Sequence, residues 1–212
     1  MSKYRYWLLA VLGGVLSAGV WANGADPLDT IQHKWAKCQY QVEDKDNQIY
    51  CFENLIARNQ KALDADPKRH ELKVWLAISE SSLAGAKGGL GALSLVKKAK
   101  VLLEEVIKEA PNTLDGSAYT SLGSLYYKVP GWPVGFGDDD MAETMLLKAL
   151  EINPNGIDPN YFYGDFLAEE GRDKEAIQYL KKAQKAAPRP NRPVADAGRR
   201  VEIAAKLGEL KS

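Results

Sequence analysis

Few residues of this chain could carry covalent or metal chemistry: its 212 residues include two cysteines and two histidines. Cys38, Cys51, His33 and His70 are too scattered for a zinc ribbon or a His-rich metal cage, and too few for a disulfide-dense scaffold. Neither histidine stands in an arrangement typical of a catalytic triad. The sequence therefore predicts no catalytic residue, no cofactor and no metal site, and a protein that is not an enzyme.

Two segments invite an ion-binding or phosphate-binding interpretation, and both have simpler ones. In residues 84–91, Lys87 precedes three of the four glycines, whereas a P-loop needs GxxxxGK(S/T) between a strand and a helix. We expect a flexible loop between two helices there. Asp138, Asp139 and Asp140 lack the central glycine and distal glutamate of an EF-hand, and their position favours capping of the following helix. Cation binding and contact with a partner are the alternatives for these aspartates.

The charge balance and the first residues indicate an exported protein that does not bind nucleic acid. Twenty-eight basic residues offset 28 acidic ones, which is not the balance of a nucleic-acid-binding protein. Basic residues precede an uncharged apolar run that ends in small or compact residues before Asn23, as in a secretory signal peptide. The run 7–20 is shorter than the roughly 20 residues that span a bilayer. We predict a signal peptide at 1–22 and a periplasmic chain at 23–212 with no membrane span; an uncleaved anchor is the alternative.

Export determines how the two cysteines are interpreted. Cys38 and Cys51 are predicted to lie on consecutive helices, with the polar turn 43–47 between them. An antiparallel hairpin about this turn would bring them together in an oxidising compartment. The CxxC spacing and βαβ pattern of a redox pair are absent. We expect a structural disulfide, with free thiols or a catalytic pair as alternatives.

The elements that must position these residues are helices that repeat along the chain. Four helical segments each end before a proline, and small or compact apolar residues recur at two fixed distances before it. The prolines are Pro67, Pro111, Pro154 and Pro188, and the recurring residues are Leu55, Ala62, Ala99, Val106, Ala142, Ala149, Ala176 and Ala183. Strand signals are nearly absent, so the predicted fold class is all-α.

The last copy, with Tyr163-Gly164 and Gly171, is the clearest, and 34 residues separate its proline from the preceding one. This spacing resembles the tetratricopeptide repeat, a helix-turn-helix unit of 34 residues. The resemblance implies an α-solenoid of antiparallel helix pairs with a C-terminal capping helix. The expected repeats cover 28–67, 72–111, 115–154 and 158–188, and the expected cap covers 193–210.

Two insertions lengthen the second and third repeats, where the proline spacing is 44 and 43 residues. They lie at 84–91 and 129–138, between the two helices of each unit. Stacked repeats place equivalent loops side by side, so we expect both insertions to form one lip along an edge of the array.

The second insertion lies in a stretch that reads YYKVPGWPVGFGDDDMAETMLLKALEINP. This stretch resembles exported bacterial proteins of the TRAP-transporter-associated TPR family, and its loop is also similar to that of the eukaryotic regulators of microtubule dynamics. The bacterial members are lipoproteins that assemble with a periplasmic ligand-binding protein. This chain has no cysteine at the predicted cleavage point, so the resemblance implies the fold and a periplasmic adaptor, but not the transporter role.

Aromatic and basic residues supply the candidate binding sites. Trp132 and Phe136 on the second insertion would either pack against the solenoid or be displayed as an anchor. Five tyrosines stand on first helices, which line the concave surface of such arrays; some should fill the core and the others could form an aromatic groove. These are Tyr119, Tyr126, Tyr127, Tyr161 and Tyr163. Arg189 and Arg192 precede the final helix in a basic segment that is either solvated surface or a docking site for an acidic partner.

Two functions are consistent with these features. The first is a periplasmic scaffold that binds a protein or peptide partner in its concave groove. The alternative is a small-ligand-binding accessory protein of a transport system, in which the Trp132 loop closes the pocket. The sequence leaves the partner and the oligomeric state open, because helical repeats serve many functions.

Overall fold

The structure, a computed structural model, describes residues 26–210. Within this range the chain forms nine α-helices and no β-strand. The helices are α1 (Pro27–Tyr40), α2 (Lys45–Ala65), α3 (His70–Lys87), α4 (Gly89–Glu109), α5 (Ser117–Lys128), α6 (Asp139–Ile152), α7 (Ile157–Glu169), α8 (Asp173–Gln184) and α9 (Pro193–Glu209). The predicted all-α class is confirmed.

Side-chain caps and prolines fix several helix ends. Asp44 accepts a hydrogen bond from the backbone N–H of Asn47 at 2.9 Å, which caps α2. Asp138 accepts one from the backbone N–H of Met141 at 2.9 Å, which caps α6 and confirms the capping role predicted for this aspartate. Each of the four repeat prolines follows an even-numbered helix, where the chain must leave the helical path.

The helices form an inner and an outer layer. Consecutive helices pack on each other along the whole described range, and the odd-numbered helices also pack on one another in sequence, from α1 to α9. The helix pairs α1–α2, α3–α4, α5–α6 and α7–α8 lie in the regions of the four expected repeats, and each pair begins within two residues of the expected start; α9 lies in the region of the expected cap. Because α9 packs on α1 as well as on α7 and α8, the inner layer closes on itself.

Glycines allow the two helices of a unit to approach closely. A Cβ atom on Gly123 of α5 would lie 2.7 Å from Leu146 Cγ on α6. A Cβ atom on Gly164 of α7 would lie 2.9 Å from Leu180 Cγ on α8. These glycines hold equivalent places in the third and fourth units, so the same close approach recurs from one repeat to the next.

The insertion at 84–91 is helical apart from Gly88, which corrects the flexible loop expected there. The positive φ angles of Gly88 and Gly89, 65° and 63°, reverse the chain within a single residue. The additional residues lengthen α3 and α4 to 18 and 21 residues, compared with 12 and 14 in α5 and α6. Ala84 is buried against the core and favours the helical state, so the local propensity outweighs the glycine content.

Cys38 and Cys51 form a disulfide between α1 and α2, as predicted, with their Cα atoms 5.6 Å apart. The bond joins the end of α1 to the first turns of α2 across the short connection that Asp44 caps. Both helices therefore form one covalently closed hairpin at the N-terminal end of the described range.

The predicted signal peptide at 1–22 lies outside the described residues. In the part that the structure does describe, every helix is too short or too polar to cross a bilayer.

Candidate functional site: the central cavity

The inner helices surround a cavity of about 990 Å³. Each of α1, α3, α5, α7 and α9 contributes to its wall, so the concave side that the repeat predicts has become a cavity that stays partly open to solvent. Hydroxyl and amide side chains form one part of the wall, mainly on α1 and α5. They include Gln32, Gln39, Thr120, Ser121 and Ser124.

Aromatic rings form a second part of the wall. The Trp35 ring stands edge-on to Trp75 and to Tyr40, with ring centres 5.6 and 5.8 Å apart. Trp35 Nε1 donates a hydrogen bond to Ser82 Oγ at 2.8 Å, which fixes its ring. On α7, Tyr161 also lines the cavity, and burial raises the pKa of its hydroxyl to about 12. The wall therefore offers ring faces beside hydrogen-bonding groups.

Arg199 of α9 links its helix to α7 and, through Glu202, to α1. Its guanidinium lies 4.2 Å from the ring centre of Tyr161 and donates to Asp158 at 3.0 Å, both on α7. It also donates to Glu202 at 2.6 Å, and Glu202 accepts a hydrogen bond from the Tyr40 hydroxyl of α1 at 3.3 Å. This chain of contacts joins α7, α9 and α1, which are the elements whose packing closes the cavity.

A second set of contacts involves Asp165 of α7. Lys128 of α5 and Lys206 of α9 lie 2.9 and 3.1 Å from its carboxylate oxygens. The Tyr127 hydroxyl donates to the same carboxylate at 2.9 Å. Although burial disfavours its charged form, the two lysines hold the pKa of Asp165 below its usual value. The negative charge on α7 thus binds cationic side chains from both neighbouring inner helices.

The predicted basic segment lies at the cavity rather than on an open surface. Arg189 donates to Asp158 and to Asp196, both at 2.7 Å, so its charge is neutralised within the protein. Arg192 lies 4.9 Å from the ring centre of Trp75 and lines the cavity. The sequence placed these arginines beside the final helix but gave no sign that they face inward.

Only one of the five predicted tyrosines lines the cavity, so the expected tyrosine groove is corrected. Tyr161 is in the wall, whereas Tyr126 and Tyr163 are buried in the repeat core. Tyr127 is engaged by Asp165, and Tyr119 is half-buried outside the cavity lining. Helical periodicity predicts which residues lie on an inner helix but does not distinguish its cavity side from the sides that contact neighbouring helices.

The insertion at 129–138 is an ordered loop that separates the roles of its two aromatic residues. Phe136 packs edge-on against Tyr126, with ring centres 5.9 Å apart, which confirms the packing interpretation for Phe136. Trp132 is 90% exposed, which excludes the packing interpretation for Trp132. A Cβ atom on Gly137 would lie 1.9 Å from the Val129 carbonyl oxygen, so the loop requires glycine at this point.

This loop neither closes the cavity nor forms a common lip with the first insertion. Trp132 and Phe136 are outside the cavity lining. The first insertion is absorbed into α3 and α4 and leaves no loop to lie beside the second. The common lip is absent because the extra residues at equivalent positions adopt different local structures. The closing role fails because the aromatic residues of the loop lie outside the cavity lining.

Sequence reasoning missed Asp158 and the pairing of Trp75 with Arg192. Asp158 resembles an ordinary acidic residue in the first turn of a helix, and its partner Arg199 is 41 residues away. Trp75 lies on α3, where helical periodicity does not distinguish a core position from a position that lines the cavity. Within the described residues, no group of three or more His, Cys, Asp or Glu side chains is placed to hold a metal ion.

Residues 157–190, which include α7 and α8, match the family model of the tetratricopeptide repeat. The chain contains a tetratricopeptide repeat. The same pairing of helices recurs through α1–α6, so the fold is a tetratricopeptide-repeat solenoid.

The solved structure of another tetratricopeptide-repeat protein agrees with this fold. The chain is similar to TTC0263, a thermophilic TPR protein of Thermus thermophilus, with a TM-score of 0.58 and 19% identity over 86% of this chain and 80% of that one. It also matches the crystal structure of MamA, with a TM-score of 0.45 and 20% identity over 80% of this chain and 92% of that one. No curated protein has a sequence that matches this chain. The tetratricopeptide-repeat fold is typical of protein-interaction scaffolds, and the relation to the TRAP-transporter-associated family stays a hypothesis.

Proposed function

We propose that this protein is a periplasmic adaptor that binds a short, extended segment of a partner protein in its central cavity. The observation that carries the proposal is the composition of the cavity wall. An extended segment brings backbone N–H and C=O groups that need hydrogen-bond partners when they are buried. Hydroxyl and amide groups such as those of Ser121, Ser124 and Gln39 both donate and accept, and the rings of Trp35 and Tyr161 accommodate apolar side chains.

The size of the cavity supports a segment rather than a folded domain. Its volume of about 990 Å³ lies at the upper end of the range of ligand pockets. The same volume favours the alternative of a small polar ligand, and this alternative is retained without the closing role of the Trp132 loop.

Assignment to the periplasm rests on the signal-like segment 1–22 and on the Cys38–Cys51 disulfide, because such bonds persist in oxidising compartments. N-terminal sequencing of the exported protein should begin within a residue or two of Asn23. A chain that retains Met1 and fractionates with membranes would contradict the assignment.

Site-specific photo-crosslinking tests the proposal. A photo-reactive residue at Ser121, on the cavity wall, should crosslink in cells to one recurring short segment that mass spectrometry identifies. The same residue at Leu147, which is 41% exposed on the outer helix α6, is the matched control and should not capture that segment. Equal capture at both positions would contradict binding in the cavity. A co-purified small molecule without a crosslinked segment would favour the alternative.

A further inference from the structure

Arg192 differs from the other arginines around the cavity because, among the described residues, it forms no ion pair with a carboxylate. Arg189 pairs with Asp158 and Asp196, and Arg199 pairs with Asp158 and Glu202. In the described part of the chain, Arg192 has no such ion pair, and its Nε has no hydrogen-bond acceptor. Its guanidinium is instead held over the Trp75 ring.

Trp75 provides a second donor without an acceptor in the same wall. This residue is 3% exposed, lines the cavity, and its Nε1–H has no hydrogen-bond partner. The neighbouring Trp35 differs, because its Nε1–H is satisfied by Ser82. Buried donors are normally paired, so two unpaired donors on stacked side chains mark a part of the wall whose polar groups are not satisfied within the protein.

The ion pairs of the wall leave one cationic side chain available. Five cationic residues line the cavity, and Arg192 is the one among them that forms no ion pair with a carboxylate. Burial, together with the nearby Arg189, lowers the pKa of Arg192 more than the attraction of Asp158 raises it, whereas ion pairs outweigh burial and raise the pKa values of Arg189 and Arg199. A half-buried guanidinium without an ion pair gains more from an anion than one that is already paired.

We infer that the Arg192–Trp75 pair is a subsite for one carboxylate group, which Arg192 binds through its guanidinium while the group lies against the Trp75 indole. A carboxylate carries one negative charge, which matches the one wall cation without an ion pair, whereas a phosphate would bring more. The carboxylate belongs either to the partner segment or to a small organic acid. The first of these alternatives rests on the proposed function.

Nuclear magnetic resonance of protein labelled with ¹⁵N at its tryptophans tests the subsite. The probes are butyrate, its neutral analogue butyramide, inorganic phosphate, and a blocked tetrapeptide with either a free C-terminal carboxylate or a C-terminal amide. Butyrate should shift the indole signal of Trp75, assigned through Trp75→Phe, in a saturable manner at constant ionic strength. Butyramide and phosphate should have weaker effects.

Variants connect the signal to Arg192. Arg192→Gln should weaken butyrate binding about tenfold or more, and Arg192→Lys should restore part of it. Arg58→Gln removes the same charge from an exposed position on α2 and should bind as the wild type does. Melting temperatures identify any variant that fails to fold. If Arg192→Gln fails to fold, the titration of Arg192→Lys shows whether butyrate binding depends on Arg192.

The outcomes separate this inference from the proposed function. An absent shift, an equal shift with butyramide or phosphate, or unchanged binding in Arg192→Gln would overturn the subsite. Tetrapeptides that bind equally as acid and amide would overturn the subsite and leave the proposed function standing. Butyrate binding without binding of either tetrapeptide would support the subsite and a small organic acid as the ligand, against the peptide function.

Discussion

Arg199 of α9 contacts Asp158 and Tyr161 of α7 in the wall of the cavity. It is buried, it stacks on Tyr161, and it pairs with Asp158 and Glu202, so its charge is compensated on two sides. Removal of one partner from such a network leaves the others as uncompensated buried charges, and this cost exceeds the net value of the intact pairs.

We therefore expect Arg199→Met to reduce the free energy of unfolding by about 3 kcal/mol. Arg58→Met, at an exposed position, should change it by less than about 0.5 kcal/mol. Urea denaturation of the two variants measures the difference. Equal midpoints would show that Arg199 does not hold α9 in place.

The carboxylate of Asp158 should make the stability depend on pH in acid. Burial alone would raise its pKa, but Arg199 and Arg189 hold the pKa well below its usual value. A lowered pKa in the folded state stabilises the protein fully above the unfolded pKa of about 4, and this contribution is lost as the pH falls below it. The stability advantage of the wild type over Asp158→Asn should thus shrink as the pH falls below about 4. Denaturation of both proteins across that range checks this, and a constant difference would contradict it.

At the scale of elements, the α5–α6 loop presents one aromatic residue and buries another. Phe136 anchors the loop on Tyr126, whereas Trp132 stands in solvent. Exposed tryptophans on fixed loops often act as anchors in protein interfaces. The loop is therefore a second candidate contact for the partner, outside the cavity.

Trp132→Ala should leave the melting temperature unchanged and weaken binding of the crosslinked partner by about 2 kcal/mol. Phe136→Ala is the matched comparison, and it should lower the free energy of unfolding by about 2 kcal/mol because a packed ring is lost. Calorimetry and binding titration on both variants distinguish the roles. A Trp132→Ala protein with normal stability and normal binding would show that the loop has no such role.

The helix pairs could be predicted from the sequence because prolines and small residues recur where each helix must end or approach its neighbour. The helical structure of the first insertion could not be predicted. Its glycines at 85, 88, 89 and 91 suggested a loop, whereas its alanine and leucine residues favour a helix. The cavity wall was also beyond prediction. Periodicity identifies the buried face of a helix, but the contact between Arg199 and Asp158 depends on how distant units meet.

At the scale of the whole molecule, the contact between α9 and α1 turns a groove into a cavity. Gly198 of α9 faces the Tyr40 ring of α1, and a Cβ atom at this position would lie 2.3 Å from Tyr40 Cγ. The two helices can approach this closely only because position 198 lacks a side chain.

Gly198→Val should separate α9 from α1 and reduce the free energy of unfolding by about 1–3 kcal/mol, as overpacking does. Gly208→Val on the same helix has no atom within 4 Å of the added Cβ and is the control. Hydrogen exchange should accelerate in α1 and α9 of the first variant alone. Unchanged hydrogen exchange in α1 and α9 would argue against closure of the inner layer between these two helices.

A bulky side chain inside the cavity would exclude a bound segment, so it shows whether the segment occupies this space. Ser121→Trp places a large ring in the space, whereas Leu147→Trp places the same ring on the outer surface. Titration with a synthetic peptide of the crosslinked segment should show affinity about tenfold or more weaker for Ser121→Trp, and unchanged for Leu147→Trp, at equal melting temperatures. Equal affinity of the two variants would contradict binding in the cavity.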